Sequence, residues 1–519
     1  MRTTAAAVVV ALLCLLTFNA PHVHAYRFVV YSPMFGYSHM RFMGKLADIL
    51  VEAGHEVDVF MPESRRDHPD TGVKKANATI LTTDSWTSSN SNPVSLFLAF
   101  ASMSDIIERM CYEFSDEHNL VEYMKERRYD VGFAEPFDAC GYSLFKLAGI
   151  NKTATVLSTV MLEQYSGYFG APITPSYVPL GFANADDHPG FGQRLLAPIF
   201  IVFFKYITEY LAAPTLATTA RRLGLPHLSF GELVSESSLL FTNSEPLIDF
   251  PRPTMHKIID VGGLTMQSQP EKLNKTWSDL LSLRNQTVFI SFGSLAKSAA
   301  MPDAFKASFL EVFRRHPDTT FIWKYEEPEH GIGKDVPNLV TVTWAPQPSL
   351  LNDRRLSLFL THSGLGSATE SATLGCAVVA VPLFGDQSRN AYMLRRSGIG
   401  EFLPKEDLAD PEKLDAVITL VLNDPKYRAR AHELSSTLKN KPFSARDVLV
   451  KNVEFLAGYG PFPQLDPAGR HQSFVVYFLL DVFAVILLVI LLLGLALYYL
   501  CRFVYRKCFG ARPVKAKGE

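Results

Sequence analysis

The stretch THSGLGSATE, residues 361–370, places a histidine, two glycines, two serines and a glutamate directly after the apolar run LSLFL. Ser367 and Glu370 have the spacing of a capping box, in which two side chains bond the free N–H groups at a helix start. The same N–H groups, with the helix dipole behind them, can instead bind a phosphate. A glycine-rich turn alone is weak evidence, so this stretch leaves both interpretations open.

Four loops of the C-terminal half each follow an apolar strand and carry polar or aromatic side chains. They are Phe292-Gly293-Ser294, Trp344 to Gln347, His362 to Glu370, and Phe384 to Gln387. In an open parallel sheet, ligands bind beyond the carboxyl ends of the strands. The loops therefore meet at one edge and offer an aromatic face, amides, a histidine and two carboxylates. This combination suits a nucleotide sugar.

Each residue in these loops also has a simpler explanation. Trp344 can stack on a base or be a rim aromatic. Glu370 can accept hydrogen bonds from ribose hydroxyls or complete the capping box. Asp386, with Gln387, can bind sugar hydroxyls or act as a helix N-cap. The convergence of four loops on one edge favours the ligand site.

Strands and helices alternate through two long segments of the chain. From Tyr26, RFVVY and HEVDVF are predicted strands around a helix at residues 39–54, and the alternation restarts at Thr287 with five more strands. Continuous apolar strands between amphipathic helices predict parallel α/β sheets. We therefore predict an α/β fold of two Rossmann-like, doubly wound domains that face a cleft. Their predicted limits are 26–260 and 275–460, with a linker at 261–274.

Both ends of the chain have membrane or secretion features. Residues 1–25 have a charged start, a short apolar core and a small final residue, as in a signal peptide. Residues 474–500 are almost wholly apolar, long enough to cross a bilayer, and precede a basic tail at 501–519. The positive-inside rule puts that tail in the cytosol and the body in the lumen. The ending Lys515-Ala-Lys517 resembles a dilysine retrieval signal, which predicts a single-pass type I protein of the endoplasmic reticulum membrane.

The segment between the two alternating regions is apolar and aromatic around IFIVFFKYITEYL, within residues 191–268. Such a segment is either a pair of core helices or a helix at a membrane surface. It has few basic residues for lipid head groups, which favours the core interpretation.

Composition and cysteine count narrow the class of protein. Lys+Arg 50 against Asp+Glu 52 gives no reason to expect a nucleic-acid partner. Four N-glycosylation sequons fit a lumenal body: Asn77, Asn151, Asn274 and Asn285. Of the six cysteines, only Cys111, Cys140 and Cys376 lie in the predicted lumenal body. They are too few for a disulfide framework, so the fold must rely on its core.

The polar loops match a known signature in order and spacing. The motifs Trp344-x-Pro-Gln347, His362-x-Gly364-x-x-Ser367-x-x-Glu370 and Pro382-x-x-Gly385-Asp386-Gln387 resemble the signature of UDP-glycosyltransferases. The plan from signal peptide to basic tail is similar to the membrane-bound animal branch, the UDP-glucuronosyltransferases. GYSHMRFM and AEPFD resemble its invertebrate members, many of which prefer UDP-glucose. The resemblance implies a GT-B fold, with UDP-sugar in the C-terminal domain and the acceptor in the N-terminal one.

The resemblance also implies roles for the donor-site residues. The candidate UDP-sugar-binding residues are Ser294, Trp344, Gln347, His362, Gly364, Ser367, Glu370, Asp386 and Gln387. Trp344 and Gln347 fall at the uracil, and His362, Gly364 and Ser367 at the diphosphate. Glu370 falls at the ribose, and Asp386 and Gln387 at the sugar. Two positions depart from the animal pattern: Ser363 replaces the usual Gly, and Gly366 a frequent Asn.

His39 lies where the loop after the first strand meets the first helix, again at a carboxyl edge. For an arbitrary histidine this position needs no chemical role, but the resemblance implies a general base. Such a histidine takes the proton of an acceptor hydroxyl as it attacks the anomeric carbon, in one inverting displacement. A carboxylate usually orients the base. Comparison with vertebrate relatives, which have Asp in this loop, points to Glu135, with Asp138 as the alternative.

The expected activity is transfer of a hexose to a hydroxyl of a small lipophilic acceptor, as in detoxification or metabolite conjugation. The chain has no Asp-x-Asp motif, and we expect no metal or cofactor besides the co-substrate, UDP-glucuronate or UDP-glucose. The donor and any homo- or hetero-oligomer stay open. The alternative is a non-catalytic lumenal protein that binds nucleotide sugar or lipophile, although the retained histidine and carboxylates favour the enzyme.

Overall fold

Two parallel sheets, each of six strands, form the framework of the part of the chain that the computed structural model describes: residues 25–32, 37–61, 104–266, 270–293 and 296–510. The strands of the first sheet are β1 (Arg27–Tyr31), β2 (Glu56–Phe60), β3 (Val131–Ala134), β4 (Thr153–Leu157), β5 (Leu239–Thr242) and β6 (Ile258–Asp260). Those of the second are β7 (Gln286–Ser291), β8 (Thr319–Lys324), β9 (Leu339–Val342), β10 (Leu358–Thr361), β11 (Val378–Ala380) and β12 (Gly400–Phe402).

Helices connect these strands and cover both sheets. Those around the first sheet are α1 (Tyr37–Glu52), α2 (Ser104–Glu117), α3 (Leu120–Arg127), α4 (Cys140–Ala148), α5 (Glu163–Ser166), α6 (Phe191–Leu223) and α7 (Phe230–Ser235). The helices that follow are α8 (Lys275–Leu280), α9 (Asp303–Arg315), α10 (Gln347–Asn352), α11 (Leu365–Leu374), α12 (Gln387–Arg396), α13 (Pro411–Asn423), α14 (Pro425–Lys439) and α15 (Ala445–Tyr459). The last two are α16 (Phe474–Tyr477) and α17 (Leu480–Phe509).

The strand order of each sheet reverses beside its first strand. The first sheet runs β2-β1-β3-β4-β5-β6, and the second runs β12-β11-β10-β7-β8-β9. Connections leave in opposite directions at such a point, and the crevice between them is where doubly wound folds bind ligands. These crevices lie between β1 and β3 and between β7 and β10. The predicted α/β fold with two Rossmann-like domains in a GT-B arrangement is confirmed.

Burial explains why the first strand and helix form where they do. Phe28, Val29 and Val30 of β1 are fully buried, as expected for a parallel strand covered on both faces. The predicted apolar stripe of α1, which includes Phe42 and Leu46, is buried in one cluster with Phe28 and Val30. The helix ends before Gly54, whose φ of +96° few other residues adopt easily.

Helix α15 packs on the first sheet although it follows the second in sequence. Its Leu449, Val453 and Leu456 are fully buried in a cluster with Phe28 and Val30. The domain limits 26–260, 261–274 and 275–460 stay predictions. The structure adds that the end of the second predicted domain returns to cover the first.

The apolar run IFIVFFKYITEYL lies within one long helix, α6, and the short helix α7 follows it in the same segment, residues 191–268. Its second half is in the core, where Ile207, Ala212 and Leu216 are buried. Its first half exposes large apolar side chains, among them Phe191 and Ile199. The core interpretation is therefore right only for the second half.

One disulfide, between Cys111 of α2 and Cys140 at the start of α4, joins two of the three cysteines of the body. Cys376 is a buried free thiol. Spacing alone does not identify such a pair. A single bridge is no framework, and the buried clusters hold most of the described fold together.

The chain divides into two units, Met1–Leu465 and Asp466–Glu519, and both sheets belong to the first. In the second, the predicted single helix at 474–500 is wrong in its limits. The short helix α16 stops where Leu479 takes a left-handed φ of 54°, and α17 then runs to Phe509. Asp481 lies in the first turn of α17, where its carboxylate accepts the Val482 N–H at 2.9 Å.

Among the residues that the structure describes, two helices, α6 and α17, are long and apolar enough to cross a membrane by length and composition. Part of α6 is buried in the body, whereas every residue of α17 is exposed. An apolar helix with no buried residue needs a nonpolar environment, so α17 is the candidate membrane span.

Candidate active site

His39, Glu135 and Ser158 meet at the crevice of the first sheet. They follow β1, β3 and β4, three neighbouring strands, so the carboxyl edge of the sheet brings them together. His39 Nδ1 lies 3.0 Å from Glu135 Oε2 and 2.7 Å from Ser158 Oγ. The Ser158 hydroxyl and backbone N–H both donate to Glu135 Oε1, at 2.6 and 2.8 Å. Three hydrogen bonds, one to Oε2 and two to Oε1, therefore hold the carboxylate in place.

The contacts at Nδ1 define which nitrogen of His39 faces the cleft. A proton on Nδ1 can be shared between Glu135 and Ser158, which leaves Nε2 to accept one. The ring of Phe137 packs edge-on against the imidazole, with centroids 5.1 Å apart. Because the His39 side chain keeps 24% of its surface exposed, the imidazole is held in place yet accessible.

The pKa of His39 is raised by its surroundings. Burial acts to lower this pKa, but the charge and hydrogen bond of Glu135 outweigh burial, and the charge of Asp386 adds to them. Asp386 comes from the second sheet's side of the cleft. The imidazole is thus a stronger proton acceptor than a free histidine.

Asp138 is not a partner of His39. Its carboxylate accepts the Cys140 N–H at 2.8 Å, at the start of α4, and burial raises its pKa to about 7. Of the two predicted carboxylates, the structure brings Glu135 to the histidine.

Ser158 was missed from the sequence. It follows β4 directly, and the edge rule used for the second domain would have singled it out. A lone serine at a strand end carries no other signal.

His362 occupies the equivalent crevice of the second sheet, between β10 and β7. A Cβ at Gly293 would lie 2.6 Å from His362 Cε1, and one at Gly364 would lie 2.8 Å from Nε2. Both positions therefore need glycine for the imidazole to fit. Gly293 also has a φ of +82°.

The pKa of His362 is lowered to about 4, because burial penalises the charged ring and nearby Lys324 opposes it. Its Nδ1 atom is buried and has no hydrogen-bond partner among the described residues. A neutral imidazole with one unsatisfied nitrogen is suited to a hydrogen bond with a bound group, not to an ion pair.

The capping-box interpretation of THSGLGSATE is wrong. Helix α11 begins at Leu365 with Gly364 as its N-cap, so Ser367 and Glu370 lie within the helix. Glycine has no side chain with which to cap the first-turn N–H groups. These groups stay available for an anion, with the helix dipole behind them.

Gln347, Ser367 and Glu370 form a preassembled polar cluster. Gln347 Nε2 donates to Ser367 Oγ at 3.1 Å and to Glu370 Oε2 at 2.7 Å. Glu370 is buried, which raises its pKa, whereas Gln347 and Arg41 lower it. Trp344, in the loop before α10, is 68% exposed and leaves its ring free to stack.

Asp386 and Gln387 lie at the start of α12. Asp386 occupies the N-cap position without capping, and its Oδ2 accepts from Asn390 Nδ2 at 2.9 Å. Gln387 is buried, and its Oε1 accepts the N–H groups of Leu383 and Phe384 at 2.8 and 3.1 Å. The glutamine therefore holds the loop that presents the aspartate.

Ser363 lies at a position that favours glycine. Its φ is 62°, in the left-handed region that favours glycine. The side chain is fully buried, and its hydroxyl has no partner among the described residues. The glycine usual in the animal pattern would relieve both costs.

Among the predicted site residues and sequons, Ser294 and Asn77 lie outside the described residues, as do residues 1–24 of the predicted signal peptide and the predicted retrieval signal at Lys515 and Lys517. The other sequon asparagines, Asn151, Asn274 and Asn285, are exposed. Asn274 caps α8 by accepting the Trp277 N–H at 3.1 Å.

One group of described side chains could hold a metal ion: Asp186, Asp187 and His188. It lies in the loop before α6 and shares no residue with the two histidine sites. Asp187 already pairs with Arg396 at 2.8 Å.

The two crevices face each other across a shared interface. Arg389 of α12 is fully buried and pairs with Asp249 at 2.5 Å, and Phe250 packs with Leu394 in one apolar cluster. Near the sites, Arg41 Nη1 of α1 lies 3.8 Å from Glu370 Oε1. The cleft therefore has a histidine–carboxylate pair on one wall and, on the other, a helix start without a side-chain cap.

Comparisons with known proteins agree with this geometry. A family model described as "UDP-glucoronosyl and UDP-glucosyl transferase" matches residues 29–515. The chain is 25% identical to a putative UDP-glucuronosyltransferase, ugt-47, of Caenorhabditis briggsae over 98% of both chains. It is 27% identical to human UDP-glucuronosyltransferase 1A8 over 92% of both.

Solved structures share the fold at low identity. A glycotransferase of kitacinnamycin superposes with a TM-score of 0.56 at 17% identity, over 86% of this chain and 100% of the other. A UDP-glucosyltransferase of Polygonum tinctorium capable of glucosylating indoxyl gives 0.57 at 15% identity, over 84% and 99%. Family and fold together establish transfer of a sugar from a UDP-sugar to a small-molecule acceptor. The chain belongs to the family of UDP-glucuronosyl and UDP-glucosyl transferases.

Proposed function

We propose that the protein transfers a hexose, glucuronic acid or glucose, from its UDP-sugar to a hydroxyl of a small lipophilic acceptor, with inversion at the anomeric carbon. The observation that carries the proposal is the His39–Glu135 pair, which faces the uncapped start of α11 across one cleft. Conjugation of metabolites or foreign compounds is the corresponding cellular role.

His39 is the proposed general base. Glu135 holds the Nδ1 proton, so Nε2 faces the acceptor hydroxyl and takes its proton as the oxygen attacks. Attack from the His39 side and departure of UDP towards α11 place nucleophile and leaving group on opposite faces of the sugar. One displacement of this kind inverts the anomeric carbon.

The second wall of the cleft binds the donor in this proposal. Trp344 stacks on the uracil beside Gln347, and Glu370 accepts from the ribose. The N–H groups at the start of α11, with Ser367, hold the diphosphate and stabilise the charge that develops on UDP. His362 contributes as a neutral hydrogen-bond donor, because its pKa is about 4. Asp386 and Gln387 bind the hydroxyls of the sugar. No step of the proposed reaction requires a metal ion.

The proposed location is the endoplasmic reticulum membrane, with the body in the lumen and a short cytosolic tail. The signal peptide, the apolar helix α17 and the basic residues after it support this topology. Three exposed sequon asparagines are accessible for glycosylation in the lumen. Removal of N-glycans from the full chain by a glycosidase should increase its electrophoretic mobility.

The direct test is His39→Ala in the full chain, assayed in permeabilised microsomes with UDP-glucuronate, UDP-glucose and a panel of phenols. We expect turnover to disappear and UDP binding to remain. His188→Ala, a highly exposed histidine outside both sites, is the matched control. Unchanged turnover in His39→Ala would refute the base assignment. If the wild type formed no glycoside with any donor, the non-catalytic binding protein would be favoured.

Competition between labelled UDP-glucuronate and UDP-glucose identifies the donor. A glucuronate-specific enzyme must balance the sugar carboxylate with a cation, whereas a glucose-specific enzyme need not. The preferred donor will dominate product formation at equal concentrations. Equal incorporation of both sugars would contradict a single-donor enzyme.

A further inference from the structure

Arg41 belongs to the domain of the first sheet, but its side chain faces the proposed UDP-sugar site of the second sheet. It lies on α1, two residues after His39, and its Nη1 atom is 3.8 Å from Glu370 Oε1 across the cleft. That distance is too long for a hydrogen bond, so the contact is an ion pair only. The Arg41 side chain is 46% exposed, whereas Glu370 is 8% exposed and its other oxygen is held by Gln347.

The start of α1 runs along the donor site. At one end the charge of Asp386 acts on His39, and at the other Arg41 faces Glu370. In the proposed function Asp386 serves the sugar and Glu370 the ribose. The diphosphate joins sugar to ribose, so it must lie between these two points. Glu370 lies on α11, about one and a half turns after its first residue, so the first turn of that helix is close to this place on the opposite wall.

We propose that Arg41 binds the diphosphate of the UDP-sugar, and that its guanidinium leaves Glu370 for phosphate oxygens when the donor enters. This inference rests on the proposed function, because it uses the donor placement given there. A guanidinium presents paired N–H donors that match phosphate oxygens, and phosphate carries more charge than one carboxylate.

The exchange is easy because the existing pair is weak. An exposed ion pair without a hydrogen bond contributes little, so its loss is readily offset by charge-assisted bonds to phosphate. Release of Glu370 leaves its carboxylate for the ribose hydroxyls. Because Arg41 and His39 share one helix, binding of the diphosphate also fixes the helix that carries the base.

The test measures UDP and uridine affinity of the purified full chain by calorimetry. We expect Arg41→Met to weaken UDP binding about 10-fold, the loss of a charged hydrogen bond, and to leave uridine binding unchanged. The UDP affinity of Arg41→Lys should lie between those of the wild type and Arg41→Met, because lysine keeps the charge but lacks the planar pair of N–H donors. Lys45→Met is the matched control, because Lys45 lies on the same helix and pairs with Glu52 at 3.6 Å.

Retained uridine binding also shows that the variants are folded. Equal weakening of UDP and uridine would overturn the inference, since Arg41 would then act only through Glu370 at the nucleoside. An unchanged UDP affinity would overturn it as well. In a Glu370→Gln background the Arg41→Met effect on UDP should persist, and its disappearance would refute direct contact. A wild type that binds no UDP would refute the proposed function itself.

Discussion

His39 and His362 lie at equivalent crevices of two similar domains, yet their surroundings shift their pKa values in opposite directions. Each lies at the point where the strand order of its sheet reverses. His39 is surrounded by Glu135, Ser158 and the charge of Asp386, and its pKa is raised. His362 is enclosed by two glycine backbones, and its pKa is lowered to about 4.

The comparison shows that topology places the residue and its neighbours decide its chemistry. Carboxylates on one wall produce a proton acceptor, which suits attack by a hydroxyl. On the other wall, His362 is enclosed without a carboxylate beside it, so its ring stays neutral. The ring lies beside the start of α11, and a helix start can bind an anion. Disruption of each set of neighbours should therefore have a different result.

The largest effect is expected for Glu135→Gln. The variant removes the charge that raises the His39 pKa and orients the imidazole, so we expect kcat/KM to fall by about 10²–10⁴-fold. The acid limb of the pH profile should also move to lower pH. Asp138→Asn is the control, because its oxygen can still accept the Cys140 N–H. The assignment fails if Asp138→Asn moves the limb and Glu135→Gln does not.

Next is Gly364→Ala, at the other histidine. The added Cβ would lie 2.8 Å from His362 Nε2, so the ring must move away from the start of α11. We expect UDP to bind about 10–100-fold more weakly by calorimetry, a loss of one or two charge-assisted hydrogen bonds. Gly366→Ala, whose Cβ would meet no described atom within 4 Å, should bind UDP normally. Equal affinities of the two variants would show that the glycine contact is unimportant.

The two histidines should also contribute to stability with opposite pH dependence. The folded pKa of His362 is below its ordinary value of 6.5, so the unfolded chain binds the extra proton between pH 6.5 and 4. The contribution of His362 to the free energy of unfolding is therefore fully present above pH 6.5. It is lost as the pH falls towards 4, and the loss is at most about 3 kcal/mol. The folded pKa of His39 is raised, so its contribution is present below pH 6.5 and is lost as pH rises through the folded pKa.

Thermal melts of His362→Gln and His39→Gln between pH 4 and 8 check these signs. The acid loss of the melting temperature should be smaller in His362→Gln than in the wild type. His39→Gln should remove the loss on the alkaline side instead. The opposite assignment of the two effects would contradict the tuning described above.

The smallest effect is expected for Ser363→Gly, beside His362. Relief of a left-handed φ at a non-glycine residue should raise the free energy of unfolding by about 1 kcal/mol. Ser363→Ala removes the buried hydroxyl but keeps the backbone strain, so it separates the two costs. A gain in Ser363→Ala equal to that in Ser363→Gly would show that the hydroxyl, and not the backbone, is the cause.

Local pattern was enough to place the candidate residues at strand ends, whereas the choice of His39 and Glu135 among them came from the family resemblance. His39, Glu135 and the loops around Gln347, Glu370 and Asp386 all follow apolar strands, and the edge rule brings them to two crevices. The limits of the helices were less predictable. Gly364 starts α11 without a side-chain cap, although Ser367 and Glu370 have the spacing of a capping box.

Contacts between segments that are distant in the chain could not be predicted from the sequence. The Arg41–Glu370 pair requires the relative placement of two domains. The Cys111–Cys140 bridge joins helices that no spacing rule pairs. The split of α6 into an exposed and a buried half depends on which other elements cover it, because both halves are similarly apolar.

The central claim is that His39, and not His362, is the base of the reaction. The most direct test is the pH dependence of kcat/KM for the acceptor, measured on the wild-type full chain at saturating donor. The account predicts an acid limb with an apparent pKa above 6.5, the range to which the carboxylates raise His39. A limb near pH 4, where His362 titrates, or a profile without an acid limb would contradict it.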